Sequence, residues 1–131
     1  MAGENLFGMA RVLVIDDDEL LRRAVRAVLE VAGYDVIEAA DGADGLRVQR
    51  DQGADLVLVD IFMPEVDGLE FIRRLRAELP QAKIVAMSGG GRIGHADVLR
   101  MAAALGASRT LRKPFKPRDL LTAIRDLLGE R

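Results

Sequence analysis

The chain has 131 residues, half of them apolar and 31% charged, enough for one globular domain with a core of its own. A net charge of −2, scattered arginines and only five aromatic residues (four Phe, one Tyr, no Trp) leave nucleic-acid binding little support. No apolar run approaches the ~18 residues of a membrane span, and the absence of cysteine excludes disulfides and thiolate chemistry, which fits the cytoplasm.

Residues 1–9 carry no periodic pattern, and Met9 offers a second start just before the first apolar run. They are read as a flexible arm or a cloning remnant, with one domain over residues 10–131. Val12–Ile15 reads as a strand and is followed at once by Asp16, Asp17 and Asp18. Leu21, Ala24, Val25, Val28 and Leu29 then recur at helical spacing, up to Gly33. Tyr34–Ala39 is a second strand, Asp41-Gly42 a turn, and Ala43–Gln52 a second helix closed by Gly53. Leu56–Val59, apolar without alternation, suits a central strand covered on both faces, and it ends on Asp60. Asp67 is placed to cap a third helix marked by Leu69, Ile72, Leu75 and Leu79 and stopped by Pro80; Arg73, Arg74 and Arg76 form its solvated face. Lys83–Met87 is a fourth strand, running into Ser88 and the glycines 89–91. Val98, Met101, Ala102 and Leu105 form the buried stripe of a fourth helix, closed by Gly106. Ser108–Arg112 is a short fifth strand leading to Lys113-Pro114-Phe115, and Pro117 opens a last helix with Leu120, Leu121, Ile124, Leu127 and Leu128 facing inward.

Five strands alternating with five helices through short connections predict an α/β fold with a parallel sheet and helices on both faces. The polar residues that end the strands, Asp16 and Asp17, Asp60, Ser88 and Lys113, then meet on one sheet edge, where ligands of such folds bind. Each has a plainer reading alone: Asp18 could simply cap a helix, Ser88 could be a turn residue, and Lys113 could be solvated. Yet Lys113 is one of only three lysines against sixteen arginines. Together the residues have a definite chemistry. Clustered carboxylates raise one another's pKa unless a cation intervenes, and Mg²⁺ binds through a few carboxylates plus waters and phosphate. A lysine and a hydroxyl suit the oxygens of a phosphoryl group, so Asp60 would be the nucleophile that forms an acyl phosphate. His95 has no second imidazole or thiol near it in sequence to suggest a metal site.

Val14-Ile15-Asp16-Asp17-Asp18, Val59-Asp60-Ile61-Phe62-Met63-Pro64-Glu65-Val66-Asp67-Gly68, Met87-Ser88-Gly89 and Lys113-Pro114-Phe115 closely resemble the receiver domain of two-component response regulators. The resemblance covers residues 11 to about 129, with four motifs in the family's order. It implies a flavodoxin-like, doubly wound sheet of order 2-1-3-4-5, an order the periodicity alone does not yield. It implies that Asp60 accepts phosphate from a sensor histidine kinase or a histidine phosphotransfer protein, signalling through a downstream protein target or passing phosphate on in a phosphorelay. It implies Mg²⁺ held by Asp17, Asp60 and the carbonyl of Phe62, with Asp16 acting through a water. Ser88, Gly89, Lys113 and Phe62 would contact the phosphoryl group. Ser88 and Thr110 would be the switch positions, and Lys113-Pro114 a cis peptide. The chain would catalyse only its own phosphorylation and dephosphorylation, as a monomer or weak homodimer.

Three features depart from the pattern: Thr110 stands where the family has its switch aromatic, Phe62 is apolar where a polar group often stands, and the loop from Gly89 to Gly94 is glycine-rich. Two other readings compete. An aspartate-nucleophile phosphatase of the haloacid dehalogenase type would use Asp16 and Asp18, but it leaves Asp60 and Met63-Pro64 unexplained. A phosphate-independent adaptor leaves the acid, hydroxyl and lysine set unexplained.

Overall fold

The computed structural model describes residues 9–63, 67–89 and 95–130, the side chains of 95–97 excepted. The expected arm at 1–9 therefore lies almost wholly outside the described residues, as do Pro64 to Val66 and most of the glycine-rich loop. Ten elements follow in strict alternation: β1 (Arg11–Ile15), α1 (Glu19–Val31), β2 (Asp35–Ala39), α2 (Gly42–Gln52), β3 (Leu56–Asp60), α3 (Gly68–Glu78), β4 (Ile84–Ser88), α4 (His95–Leu105), β5 (Arg109–Arg112) and α5 (Pro117–Leu128). All strand pairs are parallel and the order is β2-β1-β3-β4-β5. The order reverses between β1 and β3, so a crevice opens outside their carboxyl ends.

Successive side chains of a strand point to opposite faces, so the apolar runs serve two cores at once. Leu13, Ile15, Val57, Val59, Ile84 and Ala86 pack against Leu46, Phe71, Ile72, Leu75, Val98 and Ala102 from α2, α3 and α4. Val12, Val14, Leu56, Leu58, Val85 and Met87 pack on the other side against Val25, Leu29, Leu120 and Ile124 from α1 and α5. Burial on both faces is why β1, β3 and β4 read as unbroken apolar runs, whereas the edge strand β5 reads Arg-Thr-Leu-Arg and is only partly covered.

Aspartates fix where three helices begin. The carboxylates of Asp18, Asp41 and Asp67 accept the backbone N–H of Leu21, Asp44 and Glu70 at 3.1, 2.8 and 2.8 Å. Gly33, at φ +97°, turns the chain from α1 into β2 in a conformation L side chains resist.

Two expectations are corrected. Met101 is not part of the buried stripe: it is 51% exposed. With Val98, Ala102 and Leu105 in line, Met101 falls about 60° to one side of them, beyond the reach of the sheet. Arg76 is not merely solvated. Its guanidinium donates to the carbonyls of Gly106 and, at 2.7 Å, Pro80, tying the C-terminal end of α3 to that of α4.

Candidate functional site: an acidic pocket at the switch point

β1 delivers Asp16 directly after Ile15, where the chain leaves the sheet; its N–H still donates to the Ala39 carbonyl at 3.2 Å. The residue is 1% exposed. One carboxylate oxygen accepts the Asp18 N–H at 2.9 Å and the other the Lys113 ammonium at 3.1 Å. Arg22 donates to the Asp16 carbonyl at 2.7 Å and is itself held by Glu38 at 2.8 Å. Asp17, next along, is exposed at the mouth.

β3 delivers Asp60 as its last residue, 6% exposed, with Lys113 Nζ 3.5 Å from its carboxylate. The strand's last pairing sets Asp60 beside Met87, so Ser88, fully buried, stands one residue further along β4. The Lys113 N–H donates to the Ser88 carbonyl at 2.8 Å, which anchors the chain just before the cis Lys113–Pro114 bond. From there the lysine side chain reaches both buried acids.

Burial pushes the Asp60 carboxyl up to about 6. The neighbouring Asp16 charge adds to the rise, while Lys113 and the Phe62 N–H oppose it. One ammonium thus faces two buried carboxylates and a third at the rim. Asp16, Asp17 and Asp60 each offer an oxygen, and these oxygens lie within 4.8 Å of one another. Three hard, anionic oxygens with too little positive charge beside them fit a small divalent cation such as Mg²⁺.

Two glycines shape the pocket. A Cβ on Gly68 would collide with the backbone of Asp60 and Ile61, so only glycine lets the start of α3 close against the end of β3, where the Gly68 N–H donates to the Ile61 carbonyl at 3.0 Å. A Cβ on Gly89 would strike the aliphatic stem of Lys113, so Gly89 is the passage for the lysine rather than only a lining residue. Phe62 is 38% exposed beside the acceptor, and Thr110 lies half-buried on β5, paired with Ala86 of β4.

The sequence reading thus brought together Asp16, Asp17, Asp60, Ser88 and Lys113, and the structure gathers all five at one edge. It missed Arg22, Glu38 and the sterically required Gly68. Asp67-Gly68 carried a usable signal, a capping residue and a glycine directly after the acceptor loop. The Arg22–Glu38 pair carried none, since partners sixteen positions apart leave no local pattern.

An open α/β sheet with an acidic pocket and a lysine at its switch point defines a phosphoryl- and metal-handling class of site. The profile described as "Response regulator receiver domain" matches residues 12–125. The aerobic respiration control protein ArcA of Escherichia coli K12 is 34% identical over 118 residues, covering 90% of this chain and 48% of ArcA. Sensor kinase CckA of Brucella abortus is 34% identical over 126 residues, covering 95% of this chain and 13% of the kinase. The crystal structure of a CheY-like receiver domain protein from Methanospirillum hungatei superposes with a TM-score of 0.85 at 29% identity, covering 93% of this chain and 95% of that one. The chain belongs to the response regulator receiver domain family and has its fold. It spans about half the length of ArcA and a small part of CckA. Receiver domains are signalling modules that bind Mg²⁺ at such an acidic pocket and interact with histidine kinases or phosphotransfer proteins. Among the described residues no helix is long and apolar enough to cross a membrane.

Proposed function

We propose that Asp60 is the phosphoacceptor of this receiver, taking a phosphoryl group from a phosphohistidine on a sensor kinase or phosphotransfer protein in the cytoplasm. The observation that carries the reading is the Asp60 carboxylate itself, buried at the end of the central strand between Asp16 and Lys113. A carboxylate oxygen attacks phosphorus as the P–N bond to imidazole breaks; the bonding pair leaves with the imidazole, and Asp60 becomes an acyl phosphate. Lys113 moves with the negative charge from carboxylate to phosphoryl oxygens, and the Ser88 hydroxyl and the backbone at Gly89 and Phe62 bind those oxygens. Asp17 and Asp60, the Phe62 carbonyl and, through a water, Asp16 would hold Mg²⁺, which screens the charge brought in by phosphate. Ser88 and Thr110 would carry the change of state outward, to a downstream protein or to a further phosphotransfer partner. No turnover of a free substrate is needed, so the chain is a switch rather than an enzyme.

Intact-mass measurement after incubation with acetyl phosphate and Mg²⁺ tests this. One phosphate adds to the wild type and none to Asp60→Asn; equal uptake by the mutant would overturn the assignment. Repeated turnover of a free phosphate ester would favour the phosphatase reading instead.

A further inference from the structure

Arg22 and Glu38 lie outside the acidic pocket, yet they hold one of its walls. Arg22 stands one turn into α1, and Glu38 stands on β2 in register with Val14 of β1. The Arg22 side chain is 14% exposed and that of Glu38 22%, deeper than an ordinary surface ion pair. Two edges of the guanidinium are in use: Nε donates to Glu38 at 2.8 Å and Nη1 to the Asp16 carbonyl at 2.7 Å. Arg26 donates to the other oxygen of Glu38 at 2.6 Å and pairs with Glu30 at 3.3 Å, so two cations and two carboxylates close a network. Burial alone would raise the Glu38 carboxyl, but the bonds from Arg26 and Arg22 hold it below the ordinary carboxylate range.

What Arg22 grips is the peptide that joins Asp16 to Asp17. Asp16 is also fixed by other bonds: its N–H donates to Ala39, and its carboxylate accepts from Asp18 and Lys113. Asp17 is exposed, and among the described residues nothing donates to its carboxylate. Its direction is therefore set by the backbone that carries it. A peptide is rigid about its C–N bond, so pinning the Asp16 carbonyl pins the plane from which Asp17 departs. We propose that Arg22 is a positioning residue for the metal pocket: held by Glu38, it fixes the Asp16–Asp17 peptide so that the Asp17 carboxylate stays within reach of those of Asp16 and Asp60. This role rests on the reading of these three acids as a Mg²⁺ site, and it supplies what keeps them gathered. Mg²⁺ demands near-ideal octahedral geometry whereas Ca²⁺ accepts a looser one, so a misplaced Asp17 costs Mg²⁺ more. Electrostatics alone predicts the opposite sign. Arg22 is a cation beside a cation site, and deleting it would tighten metal binding if its charge were all that mattered.

Calorimetric titration of the whole chain with Mg²⁺ and, separately, with Ca²⁺ tests this. Arg22→Met should weaken Mg²⁺ binding about tenfold or more, as loss of the groups that orient a metal ligand commonly does, and weaken Ca²⁺ binding less. Arg26→Met deletes the same charge from the same carboxylate without touching the Asp16 carbonyl, and it should not weaken Mg²⁺ binding. Arg22→Lys can bond the carbonyl or Glu38 but cannot fork to both, so its Mg²⁺ affinity should fall between those of wild type and Arg22→Met. Urea unfolding of each variant without metal reports on stability separately. Arg22→Met binding Mg²⁺ as tightly as wild type or tighter, or the two arginine deletions weakening it equally, would overturn the proposal. So would equal losses of Mg²⁺ and Ca²⁺ affinity, the mark of a pocket disrupted as a whole. A wild-type chain that binds no Mg²⁺ would overturn the metal reading itself, and the role of Arg22 with it.

Discussion

The two edges of the sheet handle the same kinds of charge in opposite ways. At the amino edge Arg11 pairs with Asp35 at 2.7 Å, its backbone N–H donates to Asp55 at 2.7 Å, and its guanidinium reaches the Gln52 carbonyl at 3.2 Å. These groups remain partly open to water, so nothing there is left short of a partner. At the carboxyl edge Lys113 is shared between Asp16 and Asp60, both nearly inaccessible, with Asp17 alongside. Burial costs a carboxylate more than one shared ammonium returns, and Asp60 is pushed up to about 6. The amino edge is therefore a structural fastening, while the carboxyl edge is poised to accept positive charge and to be relieved of negative charge.

Replacing the two basic residues should separate these roles. Lys113→Met removes the only ammonium contacting Asp16 and Asp60 among the described residues, and phosphorylation by acetyl phosphate should slow by about 10²-fold, read from the time course of intact mass. Phe62→Asn changes the carboxyl edge more mildly. An amide beside the acceptor can position a hydrolytic water where the phenyl ring cannot, so the phosphorylated form should lose phosphate up to about tenfold faster after the donor is removed. An unchanged or longer half-life would show that Phe62 is not what slows hydrolysis. Arg11→Met at the amino edge should cost about 1 kcal/mol in urea unfolding and leave the phosphorylation rate unaltered. A loss of phosphorylation there would mean that the edges are coupled.

How much of this could be read from the sequence differs by residue. Val12–Ile15 and Leu56–Val59 announced themselves because burial on both faces leaves no polar alternation. Asp16, Asp60 and Lys113 were legible because parallel strands bring their carboxyl ends together whatever their separation in sequence. The strand order was not, since periodicity records burial and not neighbours; it came with the family resemblance and is the order observed. Met101 was misplaced because helical spacing gives a stripe without its width or its centre: α4 packs on the sheet through Val98, Leu99, Ala102 and Leu105, which leaves Met101 on the far side. Arg76 looked solvated because its acceptors are carbonyls, which no sequence pattern marks. The dependence of the pocket on Gly68 is a matter of backbone approach and appears only in three dimensions.

An ionised Asp60 is held in the fold at a cost. Its folded value, about 6 against an ordinary 3.8, means that the native state binds the proton more tightly than the unfolded state. The sign follows: Asp60 detracts nothing below about pH 4, and its penalty grows as pH rises to about 6 and is complete above that. Measuring urea unfolding of wild type and Asp60→Asn from pH 4 to 8 tests this directly. Asp60→Asn should be the more stable by about 1–3 kcal/mol at pH 7.5, with the gap closing toward pH 4 and narrowing when Mg²⁺ is added to the wild type. An Asp60→Asn protein less stable than wild type at pH 7.5 without Mg²⁺ would contradict the account.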